Sequence, residues 1–266
     1  MSHTEQIQAL EALRAWWAEM GVEADEAEIR ALTKAARARP DAGQPPAQAR
    51  ALRRIPKEKG HEDWVEEARN LAKAASSFAE LKNAIEGFEG CLLKEAARNA
   101  ACFDGVEGAP VMVIGEGPGA EEDKQGLPFV GRAGQLLDRM LAAIGLSRAT
   151  NTFITNVNYW RPPGNRNPTE DELALCRPFV DRMVELGQPK LIISAGGVSA
   201  KSLLNASIGI MKLRGTEQKL ETPGGYSAPL FPIFHPAFLL RRPEEKSRAW
   251  RDLLQIQKRL NDLEET

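Results

Sequence analysis

Cysteine and histidine are scarce in this chain. The three cysteines, Cys91, Cys102 and Cys176, are odd in number and scattered over 266 residues, which argues against a disulfide framework. Histidine also occurs three times, and His3 and His61 lie in the N-terminal part, leaving His235 alone further along. A signal peptide and an apolar run of membrane-spanning length are both lacking, so a cytoplasmic location without a membrane partner is expected. Charge of one sign is lacking too: 35 Lys and Arg against 37 Asp and Glu leave a net −2. The total therefore gives no sign of a nucleic-acid partner, although local patches rather than totals attract phosphates. The dinucleotide fingerprint G-x-G-x-x-G is absent, and no lysine closes the glycine-rich turn after the first apolar strand. What is present is length enough for one substantial packed domain and an extension.

Residues 4–36 read as helical, with Leu10, Leu13, Trp16, Trp17 and Met20 at helical spacing. RPDAGQPPAQAR, with three prolines and a glycine, reads as a flexible linker. From Lys34 to Lys59 there are eight basic residues against two acidic. That stretch is either a solvated basic linker or an electrostatic tether to DNA. A second helical stretch is expected over about 62–87. The division that follows is 1–60 as helical extension and Pro/Ala/Arg-rich linker, and 61–266 as an α/β domain that includes the 62–87 lead-in.

From Ala109 onward strands alternate with helices. VMVIG, TFIT, KLIIS and LFPIF are short apolar runs that suit buried parallel strands. One helix is expected over about 132–145, with Leu136, Leu137, Met140, Leu141 and Ile144 on a single face. The next starts at Thr169, with Glu172 three residues on as a capping box, and contains Pro178 as a candidate kink. A third covers about 198–205, and a last one begins at Pro243. The fold class is α/β: a three-layer αβα sandwich around a central, mainly parallel four-stranded sheet, with an N-terminal helical extension.

Open parallel sheets bind ligands at the carboxyl ends of their strands. The loops there read GEGPGAEED, NVNYWRPPGNRNP, AGGVSA and HPAFLLRRP. They bring Glu116, Asn156 and His235 to one edge, with Phe129 near by. Taken singly each has a plain reading: a core ring after Leu-Pro, a turn-capping Asn, a turn His before Pro. Taken together they form one candidate site.

GEGPGAEEDKQGLPFVGRAGQLLD, TNVNYWRPPGNRNPT and HPAFLLRRP resemble, in order and spacing, the signature segments of the family 4 uracil-DNA glycosylases. The likeness runs from about Phe88 to Leu260. It implies a monofunctional hydrolase that flips deoxyuridine out of DNA, releases uracil and leaves an abasic site. The implied partner is uracil-containing DNA, single- or double-stranded, and the implied state a monomer. Phe129 would stack on the base, and Asn156 would read its O4 and N3–H edge, whereas cytosine presents the opposite pattern. His235 would donate to O2 as charge develops there.

In the same resemblance Gly115 and Gly117 let the backbone approach the extruded nucleotide, while Pro118 and Gly119 rigidify the bend. Gly117 stands where better-known uracil glycosylases carry an Asp, and Gly119 where they carry a Tyr. Glu116 would shape the pocket or position water, and Glu122 would organise the loop by ion pairing. Glu121 and Asp123 read as the acidic first turn of a helix. Leu239 or Leu240 would wedge into the gap left by the base. Arg241 and Arg242, with Arg161 and Arg166 from RPPGNRNP, would meet phosphates. Two alternatives stand beside this reading: a non-catalytic DNA-binding relative, and a glycosylase of broader deaminated-base specificity. Relatives that trap DNA covalently carry a His-containing insertion after the TN segment, which this chain lacks.

Family 4 enzymes hold a [4Fe-4S] cluster through four cysteines. The matching places here are Phe88, Cys91, Trp160 and Cys176, so two thiolates are missing, and Cys102 does not fit the spacing. A cluster needs four ligands. None is therefore expected, with Phe88 and Trp160 filling the volume and Cys91 and Cys176 acting as small buried hydrophobes.

Overall fold

The computed structural model describes residues 59–264. The helical reading of 4–36, the proline-rich linker and the basic stretch up to residue 58 lie outside the described residues. Two helices open the described part, α1 (His61–Ala74) and α2 (Phe78–Gly87), followed by the short α3 (Leu93–Ala96). The single stretch expected over 62–87 is split because a capping signal interrupts it. Ser77 accepts from the Glu80 amide at 3.2 Å, and the Glu80 carboxylate accepts from the Ser76 amide and hydroxyl. That serine pair satisfies the first amides of a new helix better than it would continue an old one.

The α/β part then runs β1 (Phe103–Gly105), β2 (Val111–Gly115), α4 (Ala120–Gln125), α5 (Arg132–Ala142) and β3 (Thr152–Asn156). It continues through α6 (Glu170–Gly187), β4 (Leu191–Ala195), α7 (Gly197–Leu204), α8 (Ile210–Leu213), β5 (Gln218–Glu221) and β6 (Ser227–Ile233), and ends with α9 (Pro236–Arg241) and α10 (Lys246–Glu264). One sheet holds all six strands in the order β1-β3-β2-β4-β6-β5. The inner four are parallel neighbours, and they are the four apolar runs visible in the sequence. The edges β1 and β5 pair antiparallel and enlarge the expected four-stranded sheet to six. Phe103–Gly105 and Gln218–Glu221 are short and mostly polar, as edge strands with one open side tend to be, so no hydrophobic run announces them.

Every residue of β2, β3 and β4 is buried, because helices cover both faces. Alternation along the strands divides the core in two. Met112, Ile114, Phe153, Ile192 and Leu230 pack with α1, α2 and α6 on one side. Val111, Val113, Ile154, Ile193 and Phe231 pack with α5, α9 and α10 on the other. The capping box of α6 is present, Thr169 accepting from the Glu172 amide at 3.2 Å and Glu172 from the Thr169 amide at 2.8 Å. Pro178 lies inside α6 without ending it. Pro243 opens a 3₁₀ turn that leads into α10. None of the described helices is long and apolar enough to cross a membrane.

Candidate active site

Register sets the site. Gly115 lies opposite Asn156 at the ends of β2 and β3, and Ala195 lies opposite Ile233 at the ends of β4 and β6. Past the strand ends, Val157 N donates to Gly115 O at 2.9 Å and Asn158 N to Glu116 O at 3.1 Å. A side chain on Gly115 would put its Cβ 2.4 Å from the Phe129 ring and 2.5 Å from Asn156 Oδ1. Only glycine lets that ring and that amide close on the same point. Phe129 in turn lies 5.7 Å from the His235 ring at an interplanar angle of 27°. Gly196 adopts φ +106° beside His235, where an added Cβ would come within 3.0 Å of the His235 Cβ. The loop after β4 thus supports the imidazole from behind. Asn156, Phe129 and His235, drawn from three separate segments, are gathered at one sheet edge, bordered by the half-buried Glu116.

The polar chemistry of that edge is unbalanced. Asn156 is 1% exposed, yet neither Oδ1 nor Nδ2 has a hydrogen-bond partner among the described residues. Each unpaired buried polar atom costs about 1–3 kcal/mol, and such atoms in native folds call for a reason. A side-chain amide offers an acceptor and a donor side by side, which suits a ligand edge of the opposite pattern. His235 caps α9, its Nδ1 accepting from Ala237 N at 3.1 Å. With Nδ1 occupied as acceptor, the neutral ring carries its proton on Nε2. Burial pushes the His235 pKa down to about 4, helped by the Arg241 charge and opposed by Glu122. The residue is therefore a neutral N–H donor at physiological pH. Burial also raises the pKa of Glu116, against the pull of Arg241.

The glycine-rich loop is tied by its own acid. Glu122 accepts from Gly119 N at 3.1 Å through Oε2, and from Val130 N and Gly131 N at 3.0 and 2.8 Å through Oε1. Backbone amides, rather than the expected ion pair, are its hydrogen-bond partners, because the tight turn leaves those amides without other acceptors. Pro118 is buried just before this turn, and Gly119 caps α4. Glu121 pairs on the surface with Lys124 at 2.7 Å. Asp123 does more than charge a helix end: it is 4% exposed and accepts from Arg98 N at 2.7 Å. Gly117 abuts Asn158, whose Nδ2 would lie 3.0 Å from an added Cβ. In the sequence the signal for Asn158 is its N-V-N spacing from Asn156.

Among the expected DNA contacts one needs correction. Leu239 is 1% exposed within the core, because α9 packs on α5 and turns that side chain inward. It cannot serve as a wedge; Leu240, one position on, is half-buried. Arg166 forks onto Glu172 at 2.8 and 2.6 Å and so completes the start of α6 instead of standing free. Arg161 donates to Asn165 Oδ1 at 2.7 Å and lies 4.0 Å from Asp123. Arg241 and Arg242 are exposed at the end of α9. A broad groove lined by Arg69, Asn167, Arg177, Arg182, Lys201 and Tyr226 contains none of the expected site residues.

Phe88, Cys91, Trp160 and Cys176 are brought together, all buried in one apolar cluster. Rings pack there edge to face in a chain from Trp64 to Phe88 (5.9 Å), Phe179 (5.4 Å), Tyr159 (6.5 Å) and Trp160 (6.0 Å). Interaction between the Cys91 and Cys176 thiols lowers the pKa of the first and raises that of the second, and Cys176 Sγ lies 3.9 Å from Asn158 Oδ1. Cys102 is buried too, and burial pushes its pKa up to about 12. Two thiols, a Phe and a Trp do not fit an iron–sulfur cluster, which takes four thiolates. Among the described residues no group of three or more His, Cys, Asp or Glu could hold a metal ion.

Comparison with known proteins gives the family. A family model described as the uracil DNA glycosylase superfamily matches residues 103–254. A type-4 uracil-DNA glycosylase from Sulfurisphaera tokodaii is 36% identical over 185 residues, covering 68% of this chain and 83% of that protein. Those from Pyrobaculum aerophilum and Saccharolobus solfataricus are 35% and 39% identical, covering 65% and 64% of this chain and 89% and 81% of theirs. The chain belongs to the uracil-DNA glycosylase superfamily and, within it, to the type-4 family.

Proposed function

We propose that this protein excises uracil from DNA, hydrolysing the N-glycosidic bond of an extruded deoxyuridine and leaving an abasic site. The observation that carries the proposal is the buried, unpartnered amide of Asn156, placed with the Phe129 ring and the neutral His235. Uracil supplies what that amide lacks: an O4 acceptor for Nδ2 and an N3–H donor for Oδ1. As the C1′–N1 bond breaks, its electron pair passes into the base and charge collects on O2. His235 Nε2–H is preplaced to donate there, so its interaction strengthens toward the transition state. Phe129 covers the face of the base. Water adds to C1′, and Glu116, whose burial raises its proton affinity, is suited to hold that water and take its proton. Gly117 offers no carboxylate for the task. Leu240, Arg241 and Arg242 face the duplex, with residues 61–266 acting as a monomeric cytoplasmic unit and 1–60 as an extension.

The same reading assigns no [4Fe-4S] cluster to this chain. Phe88 and Trp160 replace two thiolates by apolar packing, so the protein purified without oxygen should contain no stoichiometric iron and no visible charge-transfer absorbance. Iron at four atoms per chain would overturn this. Excision itself is tested with single- and double-stranded oligonucleotides carrying uracil, hypoxanthine or xanthine, followed by alkaline cleavage. Uracil strands should be cut, and His235→Ala should lose roughly 10²–10³ in rate while still binding DNA. Binding without abasic sites would leave a non-catalytic DNA-binding module. Equal cutting at hypoxanthine would make the enzyme a broader deaminated-base glycosylase.

A further inference from the structure

Phe129 holds a backbone conformation that suits few bulky residues. Its φ is +54°, and the other non-glycine residues with positive φ among those described are Asn165, Gln188 and Asn205, short or flexible polar side chains that visit this region more readily. A bulky ring stays there only if its surroundings leave it no alternative. Arg148, in the turn before β3, supplies that constraint. Its Nη2 donates to Phe129 O at 2.8 Å and its Nη1 to Pro128 O at 3.2 Å. The guanidinium is itself fixed, by Asp104 on β1 at 2.7 Å and by Asp138 on α5 at 2.9 Å. On the other side Gly134 makes room, since a Cβ there would fall 1.8 Å from the Phe129 carbonyl oxygen. Glu122 secures the next two amides.

We infer that Arg148 is a positioning residue that sets the Phe129 ring against the base-binding edge by clamping the two carbonyls behind it. The inference rests on the reading of Phe129 as the stacking face for uracil. Arg148 meets backbone on one side and two carboxylates on the other, and it acts on catalysis solely through the ring. The guanidinium suits this because its planar fork of five donors can serve four acceptors at fixed angles. A lysine ammonium keeps the charge beside Asp104 and Asp138 but cannot reach both carbonyls and both carboxylates.

A double-mutant cycle with Phe129→Ala tests it, using single-turnover excision from a uracil-containing single-stranded oligonucleotide well below each variant's Tm. Arg148→Met should slow excision about tenfold to a hundredfold with DNA affinity changed less than about threefold, a split expected when orientation rather than binding is lost. Arg148→Lys, which preserves charge and hence folding, should move in the same direction. In the Phe129→Ala background either change should alter the rate less than about twofold. Equal losses in both backgrounds, or a full-rate Arg148→Lys enzyme, would overturn the inference. A wild-type protein that cuts no uracil DNA would instead sink the proposed function, so the two failures are distinguishable.

Discussion

Asn156 and Asn158 stand two residues apart, are 1% and 0% exposed, and carry the same side chain. Their hydrogen bonding differs. Asn158 Nδ2 donates to Trp160 O at 2.7 Å and its Oδ1 accepts from Trp160 N at 3.3 Å, so the residue closes a turn on itself. Asn156 has neither bond. Around Asn158 lies the region of paired thiols and interlocked rings; around Asn156 lies a strained Phe, a His of depressed basicity and a glutamate of raised pKa. Burial is common to both, and unspent hydrogen-bonding capacity belongs to one. Tyr159 Oη is also buried without a partner among the described residues. Nothing in the structure accounts for that hydroxyl. It sits among the rings of Trp160 and Phe179.

The largest effect should come from changing what Asn156 offers. In Asn156→Asp the Nδ2 donor is gone, and a carboxylate faces the O4 of uracil while accepting readily from the N4 amino group of cytosine. Sites that pair buried polar groups with a substrate discriminate by roughly 10⁴–10⁵, so most of the preference for uracil over cytosine should collapse. Excision from matched oligonucleotides bearing either base measures it. An unchanged ratio would mean that the unpaired amide reads nothing, and the contrast with Asn158 would lose its functional meaning.

Sequence made much of this legible, for reasons that differ by residue. The inner strands were visible because β2, β3 and β4 are buried on both faces and leave unbroken apolar runs. Thr169 and Glu172 announced the start of α6 because a capping box is a local signal. Asn156 and His235 stood out through their positions after strands. Leu239 could not be placed, because facing inward is decided by where α9 packs and not by the HPAFLLRRP segment itself. HPAFLL looked like a loop, since a six-residue helix leaves little periodicity. Arg148 gave no signal at all. Its partners Asp104, Pro128, Phe129 and Asp138 lie elsewhere in the chain, and only the fold brings them to one guanidinium.

A smaller and different effect is expected on the other side of the comparison. Asn158→Ala strands the amide and carbonyl of Trp160 in the interior, at about 1–3 kcal/mol. For a domain of this size that is roughly 2–4 °C of Tm per kcal/mol. Thermal unfolding should record the loss, while excision well below Tm stays within a small factor of wild type. If Asn158→Ala instead abolished excision and left Tm alone, the boundary between the binding edge and the packed interior would be wrongly drawn. Asn158 adjoins Gly117, so this is the place where such an error would show.

The smallest effect expected is an absence of change, and it bears on how His235 works. A histidine of ordinary pKa, 6.5, would gain its charge between pH 8 and 6; burial instead brings the value of His235 down to about 4. Its Cε1 proton resonance should stay flat over that range and move only near pH 4, and the single-turnover rate should show no inflection at 6.5. The hydrogen bond from Ala237 N to Nδ1 points the same way, since protonation at Nδ1 would set two donors head to head. The sign for stability follows from linkage. The unfolded chain takes up the proton near 6.5 and the folded one only near 4, so this contribution to stability is intact above 6.5 and lost as pH falls through that window. A midpoint near 6.5 in the resonance would mean a solvated imidazole. The donor to O2 would then be a cation formed on demand, and His235 would belong with the exposed charges of Arg241 and Arg242 rather than with the desolvated edge around Asn156.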